Sequence, residues 1–203
     1  MSDEEQKSES LPPLVTMGHP RLARPSRAVP KRDIATPAFQ ARLETLHRAM
    51  VAYLGIGIAA PQIGWFERFF LMTTSRPGPD GEPEIVLEAW INPRIVSASS
   101  ESNWAWEGCL SVPGLRGWIR RPAAVAVRGF NHLGEAASRE YAGWDARVFQ
   151  HEYDHLDGLL FPYRAADPRH IVTLEALAAR EAWPADWPAP GARDTPLGDV
   201  LPE

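Results

Sequence analysis

The chain has 203 residues, with 21 Lys and Arg against 26 Asp and Glu, a formal net charge of −5 and a single cysteine. This length suits one globular domain with short tails. The mild acidity and the lack of a basic stripe exclude a specific nucleic-acid site, and one cysteine excludes an intramolecular disulfide.

The N-terminus, residues 1–13, is acidic and has few apolar anchors, which predicts a disordered leader. It lacks the basic start of an export signal, and no run approaches the ~18 apolar residues of a membrane span. We therefore expect a cytoplasmic protein without a membrane partner. The sequence leaves open whether it is a monomer or a weak dimer.

The first strong element is a helix that begins after Thr36, a good N-cap, with Pro37 in its first turn. Gly55 provides the stop signal just past the last apolar residue. The expected buried stripe comprises Phe39, Leu43, Leu46, Met50 and Leu54.

Between Trp65 and Tyr141 the pattern changes to short apolar or alternating runs broken by Gly, Pro and Asn, which predicts antiparallel strands. Residues 76–81 and 131–134 are predicted turns. The predicted strands are Arg68–Thr73, Ile85–Ile91, Arg94–Ser97, Trp104–Cys109, Ala123–Phe130 and Ser138–Ala142.

A second helix is predicted from about Asp145 to Gly158, and it carries the pentapeptide His-Glu-Tyr-Asp-His at 151–155. Four helical residues turn by about 400°, so His151 and His155 share a face and are suited to bind one divalent metal. Glu152 would lie near the open coordination position, as in metal-dependent hydrolases. The alternative is an amphipathic helix with two surface histidines.

The C-terminal part, residues 165–203, is predicted to contain a helix over Pro168–Trp183 and then a proline-rich, extended or disordered tail. Residues 14–164 would then form one α+β catalytic domain, with antiparallel sheets packed around the helix that carries 151–155. The tail could cover the active-site mouth, contact a ribosome or pack on a second subunit, and the sequence leaves these three alternatives open.

A catalytic site of this type needs a third protein ligand. Residues 151–161 match the metzincin protease pattern except at the last position, where Phe161 replaces a histidine and cannot ligate. Glu175 lies at the thermolysin-like distance from His155, although it has the setting of a solvated helical residue. Cys109 is the third candidate.

Three motifs occur together in this chain: residues 55–62 read GIGIAAPQ, residues 107–111 read EGCLS, and residues 150–158 read QHEYDHLDG. In this order and spacing the chain resembles peptide deformylase over about residues 14–163. The resemblance implies Cys109, His151 and His155 as ligands of one divalent metal. Iron(II) would be the native metal, and zinc, nickel or cobalt could replace it.

The resemblance also implies the reaction, which removes the formyl group from the N-terminal formylmethionine of new polypeptides, with possible transient ribosome contact. Glu152 would be the general base and acid, and Gln62 and the backbone N–H of Leu110 would stabilise the oxyanion. A rival from another class is a deformylase-like scaffold that binds metal without catalysis.

For substrate binding, the resemblance implies that the peptide adds as a strand along the segments before Gly57 and Cys109. Gly55 and Gly57, which lack side chains, would let the substrate backbone approach, and Ile56 and Gly108 would make main-chain contacts with it. Val148 and Ile56 would form walls of the methionine pocket, with Arg147 nearer the mouth and Trp106 or Trp118 adding aromatic surface. We further expect Asp154 to pair with Arg116 or Arg121, and Glu107 to pair with Arg116.

Overall fold

The computed structural model describes residues 11–197. This part of the chain contains four α-helices and eight strands, which confirms the predicted α+β class. The helices are α1 (Lys31–Ile34), α2 (Pro37–Ala52), α3 (Gly143–Leu156) and α4 (Leu174–Ala178). The strands are β1 (Gly57–Ala59), β2 (Phe69–Pro77), β3 (Pro83–Ala98), β4 (Ser102–Glu107), β5 (Leu115–Pro122), β6 (Ala124–Phe130), β7 (Ala136–Ala142) and β8 (Ile171–Thr173).

The strands form two antiparallel sheets, one in the order β1-β2-β3-β6-β7 and the other in the order β4-β5-β8. Within the described chain, β1 and β4 are both edge strands. Helix α3 packs on β1, β2 and β7 of the larger sheet and also contacts β5 of the smaller one. The predicted central helix between sheets is therefore confirmed.

The larger sheet is covered on both faces, and β2 shows how the sequence produces this. Phe69 and Leu71 point into the core under α2, whereas Phe70 and Met72 point into the core under α3. All four side chains are at most 2% exposed, so the strand is a continuous apolar run.

Helix α2 begins as predicted, with the Thr36 hydroxyl accepting a hydrogen bond from the Phe39 N–H at 3.3 Å. It ends at Ala52, so the prediction that Leu54 continues the buried stripe is wrong. Leu54 has a left-handed φ of 57° and is 61% exposed. The Gly55 N–H then closes the turn on the Met50 carbonyl at 2.8 Å.

Several strand boundaries differ from the prediction. The two strands expected around Asn92-Pro93 are one strand, β3, which continues through a register irregularity at this point. Asn92 has a φ of 50°, and its carboxamide bonds both the N–H and the carbonyl of Val29. The sequence analysis also missed β1, β5 and β8. In β5 the buried Arg116 and Arg121 mask the apolar alternation.

The predicted continuous helix over Pro168–Trp183 is wrong. The β-branched run Ile171–Thr173 pairs with β5 instead, and the Thr173 hydroxyl then caps the short α4 by accepting from the Ala176 N–H. The proline-rich residues after α4 pack back on the smaller sheet as far as Leu197.

The predicted leader falls almost wholly outside the described residues. Among the described helices, none has the length and apolarity needed to cross a bilayer.

Gly158, which ends α3, is expected to be more sensitive to substitution than Gly134. Both have a left-handed φ, 76° and 77°. A Cβ at Gly158 would lie 2.6 Å from the Arg24 backbone nitrogen, whereas at Gly134 the nearest atom is 3.5 Å away, on Ile34. Gly134→Ala should therefore cost only the left-handed strain, about 1 kcal/mol of unfolding free energy.

For Gly158→Ala we expect a further loss of about 1–3 kcal/mol, because backbone must move to admit the methyl group. Urea denaturation of the two variants beside the unaltered chain measures the difference. Equal losses for both variants would contradict the packing argument.

Candidate metal centre and substrate cavity

Helix α3 presents His151 and His155 on one face, with their ring centroids 5.3 Å apart. His155 is 2% exposed, and the His151 side chain is 12% exposed. The alternative of two surface histidines is therefore wrong. The pair lies in the interior, where a buried imidazole requires a partner for each ring nitrogen.

Cys109 lies two residues after β4 and completes the group. Its Sγ is 3.3 Å from Nε2 of His155, and candidate ligand atoms of Cys109, His151 and His155 all lie within 4.8 Å of one another. Metal–ligand bonds of about 2.0–2.3 Å require separations of this order between ligand atoms. In the described part of the chain, this is the group of His, Cys, Asp and Glu side chains close enough to hold one ion.

The two rival third ligands are elsewhere. Glu175 is exposed on α4 and is not a member of the group. Phe161 is 1% exposed and stacks on the His151 ring, with 6.4 Å between centroids. It therefore packs against the ligand face of α3.

Glu107, the last residue of β4, joins the two strands β4 and β5 of the smaller sheet to α3. Its Oε1 accepts hydrogen bonds from Arg121 and Arg147, each at 2.6 Å, and its Oε2 accepts a second bond from Arg121 at 2.8 Å. Oε2 also lies 3.0 Å from Nδ1 of His151. A carboxylate on Nδ1 orients the ring and leaves Nε2 for a metal.

The charge on Glu107 is maintained by these neighbours. Burial raises the pKa of its carboxyl, but Arg121 and His151 outweigh burial and hold the pKa well below its usual range. The predicted pairing of Asp154 with Arg121 is found, at 2.8 Å, and Arg164 adds a second partner. Arg121 thus bridges two buried carboxylates. Glu107 pairs with Arg121 and Arg147, where the sequence analysis expected Arg116.

The two histidines have opposite electrostatic settings. Burial, and then the charge on His151, hold the pKa of His155 well below its usual range. Burial also lowers the pKa of His151, but its hydrogen bonds to Cys109 and Glu107 outweigh this and raise it well above the usual range. A cation bound at His151 would therefore displace a proton.

Glu152 lies beside the ligands and is 5% exposed. Burial raises the pKa of its carboxyl to about 7. Its Oε2 has no hydrogen-bond partner among the described residues, which leaves one oxygen free for a reacting group. Gly57 makes room for it, because a Cβ at Gly57 would lie 2.6 Å from Oε1 of Glu152.

Gln62 is buried in a 3-10 helix, Ala60–Ile63, that follows β1 directly. Its Oε1 accepts from the Ala59 N–H at 2.8 Å, and this bond orients the carboxamide so that Nε2 faces Sγ of Cys109 at 3.6 Å. Leu110 follows Cys109 and lines the same cavity.

A cavity of about 450 Å³, counting the open space at its mouth, lies over this group between the edge strands β1 and β4. Most of the predicted site residues line it. The lining residues are Ile56, Gly57, Gln62, Trp106, Glu107, Gly108, Leu110, Trp144, Arg147, Val148, His151 and Glu152.

Two predicted residues have different surroundings from those expected. Arg147 is 3% exposed and bonds Glu107 and Asn103, so it forms part of the wall and is not at the mouth. Gly55 is not among the lining residues, and a Cβ there would lie 2.9 Å from the Gly57 carbonyl oxygen. Gly108 does line the cavity, and a Cβ there would lie 2.7 Å from the Arg116 guanidinium.

The sequence analysis missed Trp144, which is 38% exposed and lines the cavity. Its position seven residues before His151 places it two turns away on the same helical face, a signal that was present in the sequence. The role of Glu107 in holding His151 had no such signal, since it depends on the packing of β4 against α3.

Comparisons with known proteins agree with this geometry. The model of the family described as polypeptide deformylase matches residues 11–170. Peptide deformylase 2 of Nostoc sp. is 38% identical, with 81% of this chain and 92% of that protein covered. Peptide deformylase 3 of Streptomyces avermitilis is 35% identical over 94% of this chain and 85% of its own length, so that match extends past residue 170.

Solved structures give the same result. The class I type b peptide deformylase from Acinetobacter baumannii, in its Met-Ala-Ser-bound crystal structure, has a TM-score of 0.70 and 32% identity over 76% of this chain and 98% of its own. Peptide deformylase from Thermotoga maritima has a TM-score of 0.67 and 35% identity over 78% of this chain and 99% of its own. Because the family model covers most of the residues and relatives above 30% identity align along nearly their whole length, this chain belongs to the polypeptide deformylase family.

Proposed function

We propose that this protein removes the formyl group from the N-terminal formylmethionine of newly made polypeptides. The observation that carries the proposal is the group Cys109, His151 and His155, of which His151 lines a cavity together with Glu152 and Gln62. The related Acinetobacter baumannii enzyme was solved with Met-Ala-Ser, a peptide with the free N-terminal methionine that deformylation would produce.

Cys109, His151 and His155 would hold one divalent metal, and their sulfur and nitrogen atoms fit this use. The Cys109 thiolate is a soft donor, and the Glu107 carboxylate on Nδ1 leaves Nε2 of His151 available. The family resemblance implies iron(II), and zinc, nickel or cobalt suits the same ligands. When bound, the metal supplies Lewis acidity, which activates water and polarises the formyl oxygen.

Glu152 would act as the proton carrier of the reaction. Its free Oε2 can take a proton from the attacking water and then deliver it to the amide nitrogen as the C–N bond breaks. A carboxyl with a pKa near 7 is suited to both steps, because it accepts and releases a proton at neutral pH.

Gln62 and Leu110 would stabilise the negative charge that develops on the formyl oxygen. The bond from the Ala59 N–H fixes the Gln62 carboxamide with its N–H groups toward the Cys109 side of the cavity. An N–H held in place before the reaction stabilises an oxyanion without reorganisation. The backbone N–H of Leu110 would be the second donor.

The substrate backbone would add as a strand between the two edge strands that border the cavity. Ile56 and Gly57 precede and begin β1, and Gly108 follows β4, so their main-chain groups can pair with an extended peptide. Val148 and the aliphatic part of Arg147 would contact the methionine side chain.

Loss of Cys109 should abolish metal binding and activity. Cys109→Ala removes one of three ligands, so we expect metal content near zero by elemental analysis and no hydrolysis of formyl-Met-Ala-Ser. Glu175→Ala, at an exposed carboxylate outside the group, should retain both. A chelator should inactivate the unaltered chain reversibly.

Activity that survives in Cys109→Ala but not in Glu175→Ala would transfer the third-ligand role to Glu175. A folded, metal-loaded chain that hydrolyses no formylated peptide would instead favour the non-catalytic scaffold.

Glu152→Gln should lower kcat by about 10²–10⁴-fold, because the amide cannot carry the proton between water and the leaving amine. Metal content should not change, since Glu152 is not one of the three ligands. Glu175→Gln is the matched control at an exposed position. Activity within twofold of the unaltered chain would exclude Glu152 as the base.

Glu107→Gln should weaken metal affinity by about 10- to 100-fold, because the carboxylate that orients His151 through Nδ1 is replaced by a neutral amide of the same shape. A competitive chelator titration measures this. Glu67→Gln, which also removes a carboxylate with two arginine partners, should leave affinity unchanged. Equal affinities for both variants would contradict the orienting role.

A further inference from the structure

Two adjacent residues of edge strand β4 are buried on opposite faces of the smaller sheet. Glu107 faces α3 with Arg121 on the neighbouring strand, whereas the Trp106 side chain packs on the opposite face of the smaller sheet, although the residue also borders the cavity. There it lies directly across from Trp118, with ring centroids 5.4 Å apart. This is the alternation expected of a strand that is covered on both faces.

The cover on the Trp106 face is the C-terminal segment, residues 174–197. The Trp106 indole N–H donates to the Ala192 carbonyl at 2.8 Å, and the Trp183 ring lies 6.1 Å from the Trp106 ring. Trp106 is 0% exposed and Trp118 is 3% exposed in this arrangement. The cluster also contains Val172, Leu177, Ala189, Ala192 and Leu197.

On its other face, strand β4 is fixed to α3 by the hydrogen bonds of Glu107 and Asn103 with Arg147, and this cover holds the Trp106 face. In the described chain its sheet neighbour is β5 on one side, and the cavity borders its other edge. An edge strand with one partner is held by its ladder and by the packing of its two faces. Without the C-terminal segment, Trp106 and Trp118 would lose their apolar cover, and the buried Trp106 indole N–H would lose its acceptor.

We propose that the C-terminal segment is a positioning element for β4, which acts through Trp106 and determines how strongly the enzyme binds the peptide backbone beyond the first residue. This rests on the proposed function, in which Gly108 and its neighbours pair with the substrate main chain. The segment touches the sheet from the face opposite the metal group, so it affects peptide length dependence and not the chemical step.

Trp183→Ala in the full-length, metal-loaded chain tests this. Two substrates are compared, formyl-Met amide and formyl-Met-Ala-Ser, and the length gain is the ratio of their kcat/KM values. We expect Trp183→Ala to lower the length gain by about 3- to 10-fold, the equivalent of about one main-chain hydrogen bond. The loss should appear in KM for the longer peptide, with formyl-Met amide changed by less than about twofold.

Trp183→Phe keeps an aromatic ring against Trp106 and should restore most of the length gain. Leu87→Ala, at a 43% exposed position on β3, is the control for an unrelated truncation. Should Trp183→Ala fail to fold, Leu177→Val replaces it, since Leu177 is 2% exposed in the same cluster and loses only one methylene. An unchanged length gain, or an equal loss of kcat on both substrates, would overturn the proposal.

Binding measured by calorimetry separates this inference from the proposed function. The affinities of the metal-loaded chain for Met amide and Met-Ala-Ser give the same length gain without catalysis. A chain that hydrolyses neither formylated peptide but shows a length gain lost in Trp183→Ala would refute the proposed function and support the positioning role. The lack of any length gain in the unaltered chain would refute the positioning role.

Discussion

The buried carboxylate of Glu107 is the interaction on which the site depends. It receives hydrogen bonds from β5 through Arg121 and from α3 through Arg147, and it lies on Nδ1 of His151. One side chain therefore fixes the relative positions of two strands, one helix and His151. Because Cys109 follows only two residues later, the same contact places its thiol beside the histidines.

Such a network is costly to assemble, since each buried charge loses its hydration. It is stable only because every charge has several partners, with Arg121 shared between Glu107 and Asp154. Replacing the whole set with apolar residues could preserve the fold. It would also remove the group that orients His151, so the network is better explained by the site than by stability.

The sequence predicted the histidine pair and the central helix because both depend on local spacing, whereas Cys109 was assigned through the family resemblance. The His151–His155 step and the cap at Thr36 are determined within one or two helical turns. The features that the sequence could not predict depend on contacts between residues that are distant in sequence. Strand β5 was missed because Arg116 and Arg121 interrupt its apolar pattern, and their burial makes sense only beside residues such as Glu107. Leu54 was misassigned because its left-handed turn moves an apolar side chain out to solvent.

The packing of the C-terminal residues was also not predictable from the sequence. Their prolines and scattered tryptophans have no periodicity, so the sequence favours an extended tail. Their apolar side chains nevertheless find a complementary surface, because β4 and β5 present Trp106 and Trp118 on the face away from the metal ligands. Alternation along β4 places Glu107 on the face toward α3 and Trp106 on the face toward the C-terminal segment. A strand of six residues thereby contacts a segment outside the family model's match on one face and borders the cavity with its edge.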